Sequence, residues 1–296
     1  MASDRRLLLV HAHPDDETIA TGATMAKARA EGIDVTLVTC TLGEEGEILV
    51  PDVAHLAADQ EDALGEHRMS ELAAAMDALG VTDWRLLGGP GTYRDSGMIG
   101  TPANENPSCF WRADLLTATR DLVKIIREVR PQVVVTYDEF GGYGHPDHIQ
   151  AHRVTMYAIT LAAVPSFDPE LGAPWSVQKV YWPAFPKGVM RAGIEALRAM
   201  GDESEFALMD PENIPFTVDD ELVTTAIDGT AYLDQKLAAL RAHETQVNVD
   251  GGFFALSNNL GSQALGVEYF RLALGTSSGD RDDQGRETDL FSGVTA

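Results

Sequence analysis

Short apolar runs alternate with longer stretches of helical periodicity along the chain to about residue 180. Unbroken apolar runs are typical of parallel strands that are buried on both faces of a sheet. Apolar side chains at mixed three- and four-residue spacing are typical of helices packed on such a sheet. The pattern predicts strands near residues 6–12, 33–40, 83–88, 132–138 and 177–182, and helices near residues 17–31, 59–79, 111–129, 188–200 and 231–243, with a further helix beginning at His148.

This alternation predicts an α/β fold built on a Rossmann-like parallel sheet with right-handed crossovers. We expect the strand order 3-2-1-4-5, which places strands 1 and 4 side by side at the point where the order reverses. Past about residue 170 the pattern loosens, and prolines interrupt the chain. We therefore predict a metal-binding catalytic domain over residues 1–170. A smaller C-terminal α/β lobe over residues 171–296 is expected to complete the sheet and the substrate cleft.

Two strings rich in histidine and aspartate follow strands 1 and 4. They are His-Ala-His-Pro-Asp-Asp-Glu at residues 11–17 and Gly-Tyr-Gly-His-Pro-Asp-His at residues 142–148. Ligands of open α/β sheets bind beyond the carboxyl ends of the strands, so the two strings should meet there. A catalytic zinc takes three nitrogen or oxygen ligands and keeps a position open for water. His13, Asp16 and His148 form such a set, which predicts a hydrolytic metal site.

Other polar groups of the same strings have the chemistry to complete a hydrolase. Asp15 is free to take a proton from metal-bound water, whose pKa the metal lowers toward about 7. His145 or Tyr143 can donate to the oxyanion or protonate the leaving group. In one version, protonated His145 donates to the leaving amine, and Asp147 holds its imidazole and raises its pKa. Glycines flank Tyr143, so its ring either swings over the cleft or packs in a tight turn at the rim.

Several alternatives stay open at these positions. A single His-Pro-Asp can be a turn before a helix N-cap, whereas two copies after two strands favour a metal site. His152 lies four residues after His148 and can share its helix face, although we expect it either beside the ligand set or at the surface. Two histidines and a carboxylate also describe an iron(II) site, so iron(II) is an alternative to one zinc per subunit. Glu47, in the acidic loop after strand 2, is predicted to line the cleft, although a solvated loop is the default there.

Further strings accompany these two loops along nearly the whole chain. They are Thr-Cys-Thr-Leu-Gly-Glu-Glu-Gly-Glu at residues 39–47, Arg-Asp-Ser-Gly-Met at 94–98, Ala-His-Glu-Thr-Gln at 242–246, Leu-Ser-Asn-Asn at 256–259 and Glu-Thr-Asp-Leu at 287–290. Together they make the chain similar to the LmbE-like (PIG-L type) zinc de-N-acetylases, which remove acetyl groups from N-acetylglucosaminyl compounds. Within that family the chain most resembles the deacetylases of mycothiol biosynthesis.

The resemblance implies hydrolysis of the N-acetyl group of N-acetylglucosaminyl-inositol, with release of acetate and the free amine. A sister group, the mycothiol S-conjugate amidases, shares the metal loops. The amidases carry Lys where this chain has Ala20 and Pro where it has Gly144. Both differences favour the deacetylase, and the amidase or another LmbE-like sugar deacetylase is the alternative.

The resemblance also implies roles for particular residues. It gives His13, Asp16 and His148 as the zinc ligands and Asp15 as the general base. The remaining roles are a second catalytic group made of His145, Asp147 and Tyr143, and contacts from Arg68 and Asp95 to the sugar hydroxyls.

Composition restricts the class of partner. The chain has 46 acidic against 22 basic residues and a formal net charge of −24. This balance argues against nucleic acid and anionic membranes, which need clustered Lys and Arg. Two cysteines are too few for a disulfide framework, and the sequence shows neither a secretory apolar segment nor an 18-residue apolar run. We expect a cytoplasmic enzyme of a small-molecule substrate, while its oligomeric state is unknown.

Two other function classes fit the same type of sheet. A nucleotide-binding oxidoreductase needs a G-x-G-x-x-G fingerprint after strand 1, and none follows it. A non-catalytic sugar-binding relic has no reason to keep the complete set of histidines and aspartates in the two strings. Both classes are disfavoured, and acetate release measured with and without a chelator separates all three.

Overall fold

The apolar runs form strands, and the periodic stretches between them form helices. The computed structural model describes residues 4–201, 203, 205–249 and 265–295, so the string at residues 256–259 lies outside the described residues. The strands are β1 Arg6–His11, β2 Asp34–Thr39, β3 Asp83–Leu86, β4 Val133–Val135, β5 Lys179–Pro186, β6 Thr217–Val218, β7 Thr225–Asp228 and β8 Val267–Leu274. The helices are α1 Asp16–Ala30, α2 Leu64–Leu79, α3 Leu115–Val129, α4 Gly141–Gly144, α5 Pro146–Ala162, α6 Lys187–Ala199, α7 Glu205–Leu208 and α8 Leu233–Ala242.

The sheet has the order β3-β2-β1-β4-β5-β8-β7, with β6 paired to β5 beside this path. The predicted order 3-2-1-4-5 is confirmed, and these five strands are parallel. The sheet as a whole is mixed, because β8 runs antiparallel to both β5 and β7. The sequence pattern did not reveal β8. This strand buries alternate side chains, Glu268 and Phe270 among them, and therefore lacks an unbroken apolar run.

Strand β1 lies at the centre of the sheet and buries both of its faces. Leu7 and Leu9 pack on one face in a core shared with α1, α2 and α8. Leu8 and Val10 pack on the opposite face in a core shared with α3 and α5. A smaller apolar cluster lies under α6. This double burial explains the continuous apolar run of β1, and it fixes the end of the strand where the first histidine-rich string begins.

A buried ion pair joins the last third of the chain to α1. Lys236 of α8 and Glu268 of β8 are 2.7 Å apart (Nζ to Oε1), and both are almost fully buried. Lys236 Nζ donates to the carbonyl of Ile19 at 3.0 Å. Glu268 accepts from the backbone N–H groups of Ala23 and Thr24 at 2.9 and 2.7 Å. Side chains far along the sequence thus hold the backbone of the helix that carries Asp16.

Two further observations concern the cysteines and the possibility of a membrane-spanning helix. Cys40 and Cys109 are both buried and unbridged. Within the described ranges, no helix combines the length and the apolar character needed to cross a bilayer. The division of the chain near residue 170 stays a prediction.

Candidate active site

The two histidine-rich strings meet beyond the carboxyl ends of β1 and β4, as predicted. Three ligand atoms form a nearly equilateral triangle there. His13 Nδ1 is 3.2 Å from Asp16 Oδ2, and His148 Nε2 is 3.3 Å from each of these atoms. Bonds of about 2.0–2.1 Å in a tetrahedral zinc site separate neighbouring ligand atoms by about 3.3 Å. The donor atoms and their spacing therefore fit one such ion.

The second nitrogen of His13 faces carboxylates. His13 Nε2 lies 3.3 Å from Asp147 Oδ2 and 3.5 Å from Asp95 Oδ1. Histidine ligands of metals almost always donate their other N–H to a carboxylate or a carbonyl, which fixes the tautomer. Burial disfavours the charged imidazole, but Asp95, Asp147 and Asp16 outweigh burial and raise the pKa of His13 well above 6.5. The centre thus attracts positive charge.

His148 is oriented in the same way. Its Nδ1 lies 3.1 Å from the carbonyl oxygen of Gly141, which leaves Nε2 for the centre. The ring of Tyr137 stacks on its imidazole with the ring centres 4.2 Å apart. The hydroxyl of Tyr137 accepts from the backbone N–H of Ala12 at 2.8 Å, so this ring links the two strings.

Two other groups of possible metal ligands share His13 within the described part of the chain. One adds His145 and His148, and the other adds Asp95 and Asp147. The carboxylates of the second group face the nitrogen of His13 that points away from His148. In the triangle with Asp16, both imidazoles keep a partner for their second nitrogen, a carboxylate for His13 and the carbonyl of Gly141 for His148.

Asp15 occupies a strained position beside the triangle. Its φ is 105°, a region that residues other than glycine rarely adopt, and such strain clusters at functional sites. The backbone N–H of Asp15 donates to Glu17 Oε2 at 3.0 Å. The carboxylate of Asp15 accepts from Arg68 at 3.1 Å. Burial raises the pKa of Asp15 to about 6, although Arg68 opposes the shift. A carboxylate with that pKa is suited to act as a base near neutral pH.

Arg68 is buried between the loops. Besides Asp15, its guanidinium donates to the carbonyl of Gly43 at 2.7 Å and to the carbonyl of Pro14. Although Arg68 also borders the cavity, these contacts commit most of its N–H groups to holding Asp15 and the first string.

The two acidic residues predicted for the substrate both border the cavity, but in different settings. Asp95 is buried and accepts from the backbone N–H of Gly97 at 2.8 Å. Glu47 is exposed, and its backbone carbonyl accepts from Gln246 Nε2 at 3.1 Å. Asp95 is therefore fixed in place, whereas the carboxylate of Glu47 faces solvent at the cavity.

The predicted pairing of Asp147 with the imidazole of His145 is wrong. His145 Nδ1 instead accepts the backbone N–H of Asp147 at 3.1 Å, as the N-cap of α5. The carboxylate of Asp147 accepts from the N–H of Ser96 at 2.8 Å and from its hydroxyl, and it faces His13. Burial, followed by the charges of His13 and His148, lowers the pKa of His145 to about 3, which also contradicts the predicted rise. His145 is therefore neutral, with its proton on Nε2.

Tyr143 lies at the rim of the site. It belongs to the short helix α4, where Gly142 adopts φ 75°. The residue is 44% exposed, and the centre of its ring lies 5.0 Å from that of His148 and 6.2 Å from that of His145. Burial of the hydroxyl raises the pKa of Tyr143, so the phenol keeps its proton and can donate a hydrogen bond. Movement of the ring over the cleft stays a prediction.

These groups open into a cavity of about 630 Å³. Small-molecule sites typically have volumes of about 300–1,000 Å³. One wall carries the histidines and carboxylates. Apolar side chains border the rest, and they include Ile19, Ala20, Met98, Phe185, Met209, Phe216 and Val218.

Comparison with known proteins assigns the chain to a family. The model of the PIG-L family, described as GlcNAc-PI de-N-acetylase, matches residues 8–159. The chain belongs to the PIG-L family. The resemblance noted in the sequence is thereby confirmed, and so is the prediction of a hydrolytic deacetylase.

Relatives within this family are similar along their full length. The protein named 1D-myo-inositol 2-acetamido-2-deoxy-alpha-D-glucopyranoside deacetylase in Geodermatophilus obscurus is 62% identical over 295 residues, 99% of each chain. The protein of the same name in Kribbella flavida is 58% identical over 300 residues, 98% of each chain. The N,N'-diacetylchitobiose deacetylase of Pyrococcus horikoshii superposes with a TM-score of 0.60 at 20% identity, covering 90% of this chain and 83% of that one. This last likeness shows a shared fold.

Sequence reasoning missed some residues around this PIG-L centre. Tyr137 was assigned to a strand, although it bridges the two strings. Glu17 and His243 are both fully buried and form a pair, Oε1 to Nε2, at 2.9 Å. The string at residues 242–246 was the available signal for His243, but it gave this residue no role. His152 lies 3.0 Å from the carbonyl of Tyr137 (Nδ1 to O), outside the ligand triangle.

Proposed function

We propose that the chain hydrolyses the N-acetyl group of 1-D-myo-inositol 2-acetamido-2-deoxy-α-D-glucopyranoside, releasing acetate and the free amine in a step of mycothiol biosynthesis. The observation that carries the proposal is the triangle of His13, Asp16 and His148 with the Asp15 carboxyl beside it. The two relatives named for this substrate align over 98% or more of the chain and support the choice of sugar.

We assign the triangle to one zinc ion per subunit, with iron(II) as the alternative. A bound zinc supplies Lewis acidity and lowers the pKa of water. Two histidines and one carboxylate suit either ion, and the hydrolytic reaction favours zinc, which keeps a position open for water.

The residues beside the triangle divide the remaining chemistry. Asp15 accepts a proton from the water that attacks the amide carbonyl. The Nε2–H of His145 and the hydroxyl of Tyr143 donate to the developing oxyanion. His145, with a pKa of about 3, has no second proton to give. Asp15 therefore returns its proton to the leaving amine as the C–N bond breaks.

The cavity walls suggest how the sugar is held. We assign Asp95 and Glu47 to sugar hydroxyls, because both carboxylates border the cavity. Arg68 acts mainly through Asp15, whose carboxylate it holds. Asp147 acts through His13. The net charge of −24 supports a small neutral substrate over nucleic acid or an anionic membrane, and we expect the enzyme in the cytoplasm.

Acetate release from three substrates tests this function. We expect the zinc-loaded enzyme to give its highest kcat/KM on N-acetylglucosaminyl-inositol, a lower value on N-acetylglucosamine and a lower value on a mycothiol S-conjugate. Chelation should abolish all three activities, and zinc or anaerobic iron(II) should restore them. A higher kcat/KM on the conjugate would make the enzyme an amidase, and full activity after verified metal removal would refute the metal assignment.

A further inference from the structure

A buried pair of side chains, Glu17 and His243, contacts the backbone of Asp15 through Glu17. His243 follows α8, and Glu17 is the second residue of α1, so the contact spans 226 residues of sequence. Both side chains are fully buried. His243 Nδ1 has no hydrogen-bond partner among the described residues, so the side chain serves Glu17 through Nε2 alone.

Glu17 connects this pair to the backbone of the base. Its Oε1 faces His243 Nε2, and its Oε2 accepts from the N–H of Asp15 at 3.0 Å. The Asp15 backbone, with φ 105° and ψ −38°, needs such support because this conformation is unfavourable for a residue with a side chain. Arg68 holds the carboxylate of Asp15 separately at 3.1 Å. The base is thus held at its backbone and at its carboxylate by different partners.

We propose that His243 is a positioning residue for hydrolysis: it orients Glu17, and Glu17 holds the strained backbone of Asp15 so that the carboxylate meets the attacking water. The inference rests on the proposed role of Asp15 as the base. The ligand atoms of the triangle do not contact His243 or Glu17, so metal binding is expected to survive when the pair is broken.

A purely structural role for His243 is the competing explanation. Buried ion pairs are often no more stabilising than apolar residues of similar volume, so burial alone does not explain the pair. Thr245 provides a matched control on the same segment. It is equally buried, donates from Oγ1 to Glu71 Oε2 at 2.8 Å and accepts from Gln246 Nε2 at 3.1 Å, with no contact to Asp15. Loss of either side chain removes a hydrogen bond to a buried carboxylate. Only the carboxylate bound by His243, that of Glu17, contacts Asp15.

The test compares His243→Leu, His243→Gln and Thr245→Val in the zinc-loaded full-length enzyme. Misplacing a catalytic group by about 1 Å lowers the rate by about 100-fold, so His243→Leu should lower kcat by about 10- to 100-fold with KM and zinc content within about threefold. His243→Gln keeps an N–H donor for Glu17 and should recover most of the loss. Thr245→Val should lower the unfolding midpoint but leave kcat within about twofold. Equal kcat in all three variants would overturn the inference.

Combination with Asp15→Asn separates this inference from the proposed function. If His243 acts through Asp15, adding His243→Leu to Asp15→Asn should lower kcat by less than about twofold more, because residues that act as a unit are not additive. A full additional loss would refute the positioning role. Retention of activity by Asp15→Asn alone would instead refute the role of the base. If His243→Leu does not fold, the double variant Glu17→Gln/His243→Leu replaces it, because this variant leaves no unpaired buried charge. We expect the same loss of kcat, about 10- to 100-fold, for the double variant.

Discussion

Replacement of Asp15 by asparagine removes the base with little change of shape. Asparagine tolerates positive φ better than most residues, so the strained backbone at φ 105° should persist. Its side-chain oxygen can still accept from Arg68 at the position that Asp15 Oδ2 occupies, 3.1 Å away. The variant is therefore expected to fold and to bind zinc, which isolates the loss of proton transfer.

The expected loss follows from the role of the group. General acid–base catalysis contributes about 10²–10⁴-fold, or about 2.7–5.4 kcal/mol in activation free energy. Because Asp15 is active when deprotonated, wild-type kcat/KM should rise with pH up to its pKa of about 6. A cation bound beside it favours the carboxylate, so the midpoint should lie at or below that value. Asp15→Asn should lose this acidic limb.

Acetate release between pH 4.5 and 8, with zinc content measured on the same samples, provides the assay. Asp62→Asn is a matched control, because Asp62 also has positive φ, 52°, and pairs with an arginine at 2.7 Å, but it is exposed and does not line the cavity. The control should keep wild-type kcat. Asp15→Asn with full zinc and at least a third of wild-type kcat would refute the reasoning, whereas loss of zinc would exchange the roles of residues 15 and 16.

Four other variants test separate parts of the site and the fold. His148→Ala should sharply reduce bound zinc by elemental analysis, and full metal with full activity would exclude it as a ligand. His145→Ala should keep its metal and lose about 10²–10³-fold in kcat, with Tyr143→Phe losing less, as expected for oxyanion donors. Since the pKa of His145 is about 3, His145→Ala should not change the pH profile between 5 and 9. Burial opposes ionisation of Glu287, but hydrogen bonds, including one from Lys179, lower its pKa below 4.5. Its stabilisation is therefore present above pH 4.5 and lost below it. Glu287→Gln should unfold at lower denaturant at pH 7, and its stability should fall less steeply toward pH 3 than that of the wild type; parallel curves would contradict the sign.

Local patterns were sufficient to predict the sheet order and the meeting of the two strings. The apolar run of β1 and the run at residues 133–135 each precede a His-Pro-Asp, and the pairing of Leu7 with Val133 places them side by side. Strand order and strand direction then determine where the loops emerge. No knowledge of side-chain direction was needed for that step.

Side-chain direction could not be predicted in the same way. Asp147 lies two residues from His145 in sequence, yet its carboxylate points to His13, because the first turn of α5 separates the two side chains.

Contacts between residues distant in sequence could not be predicted from periodicity either. Nothing in the local pattern around Glu17 or Glu268 indicates a partner more than 200 residues away, or a backbone that a carboxylate helps to hold.

The hydrogen bonds that join Glu268 and Lys236 to the backbone of α1 have a consequence during synthesis. The ribosome makes Asp16 roughly 250 residues before Glu268, which takes about 10–50 s at about 5–20 residues per second. Until then, Ala23 and Thr24 lack the carboxylate that accepts from their N–H groups in the finished molecule. The first histidine-rich string therefore emerges early but acquires its final setting among the last events of translation. A nascent chain released before β8 is made would carry the ligands on an α1 that lacks its contacts with Glu268.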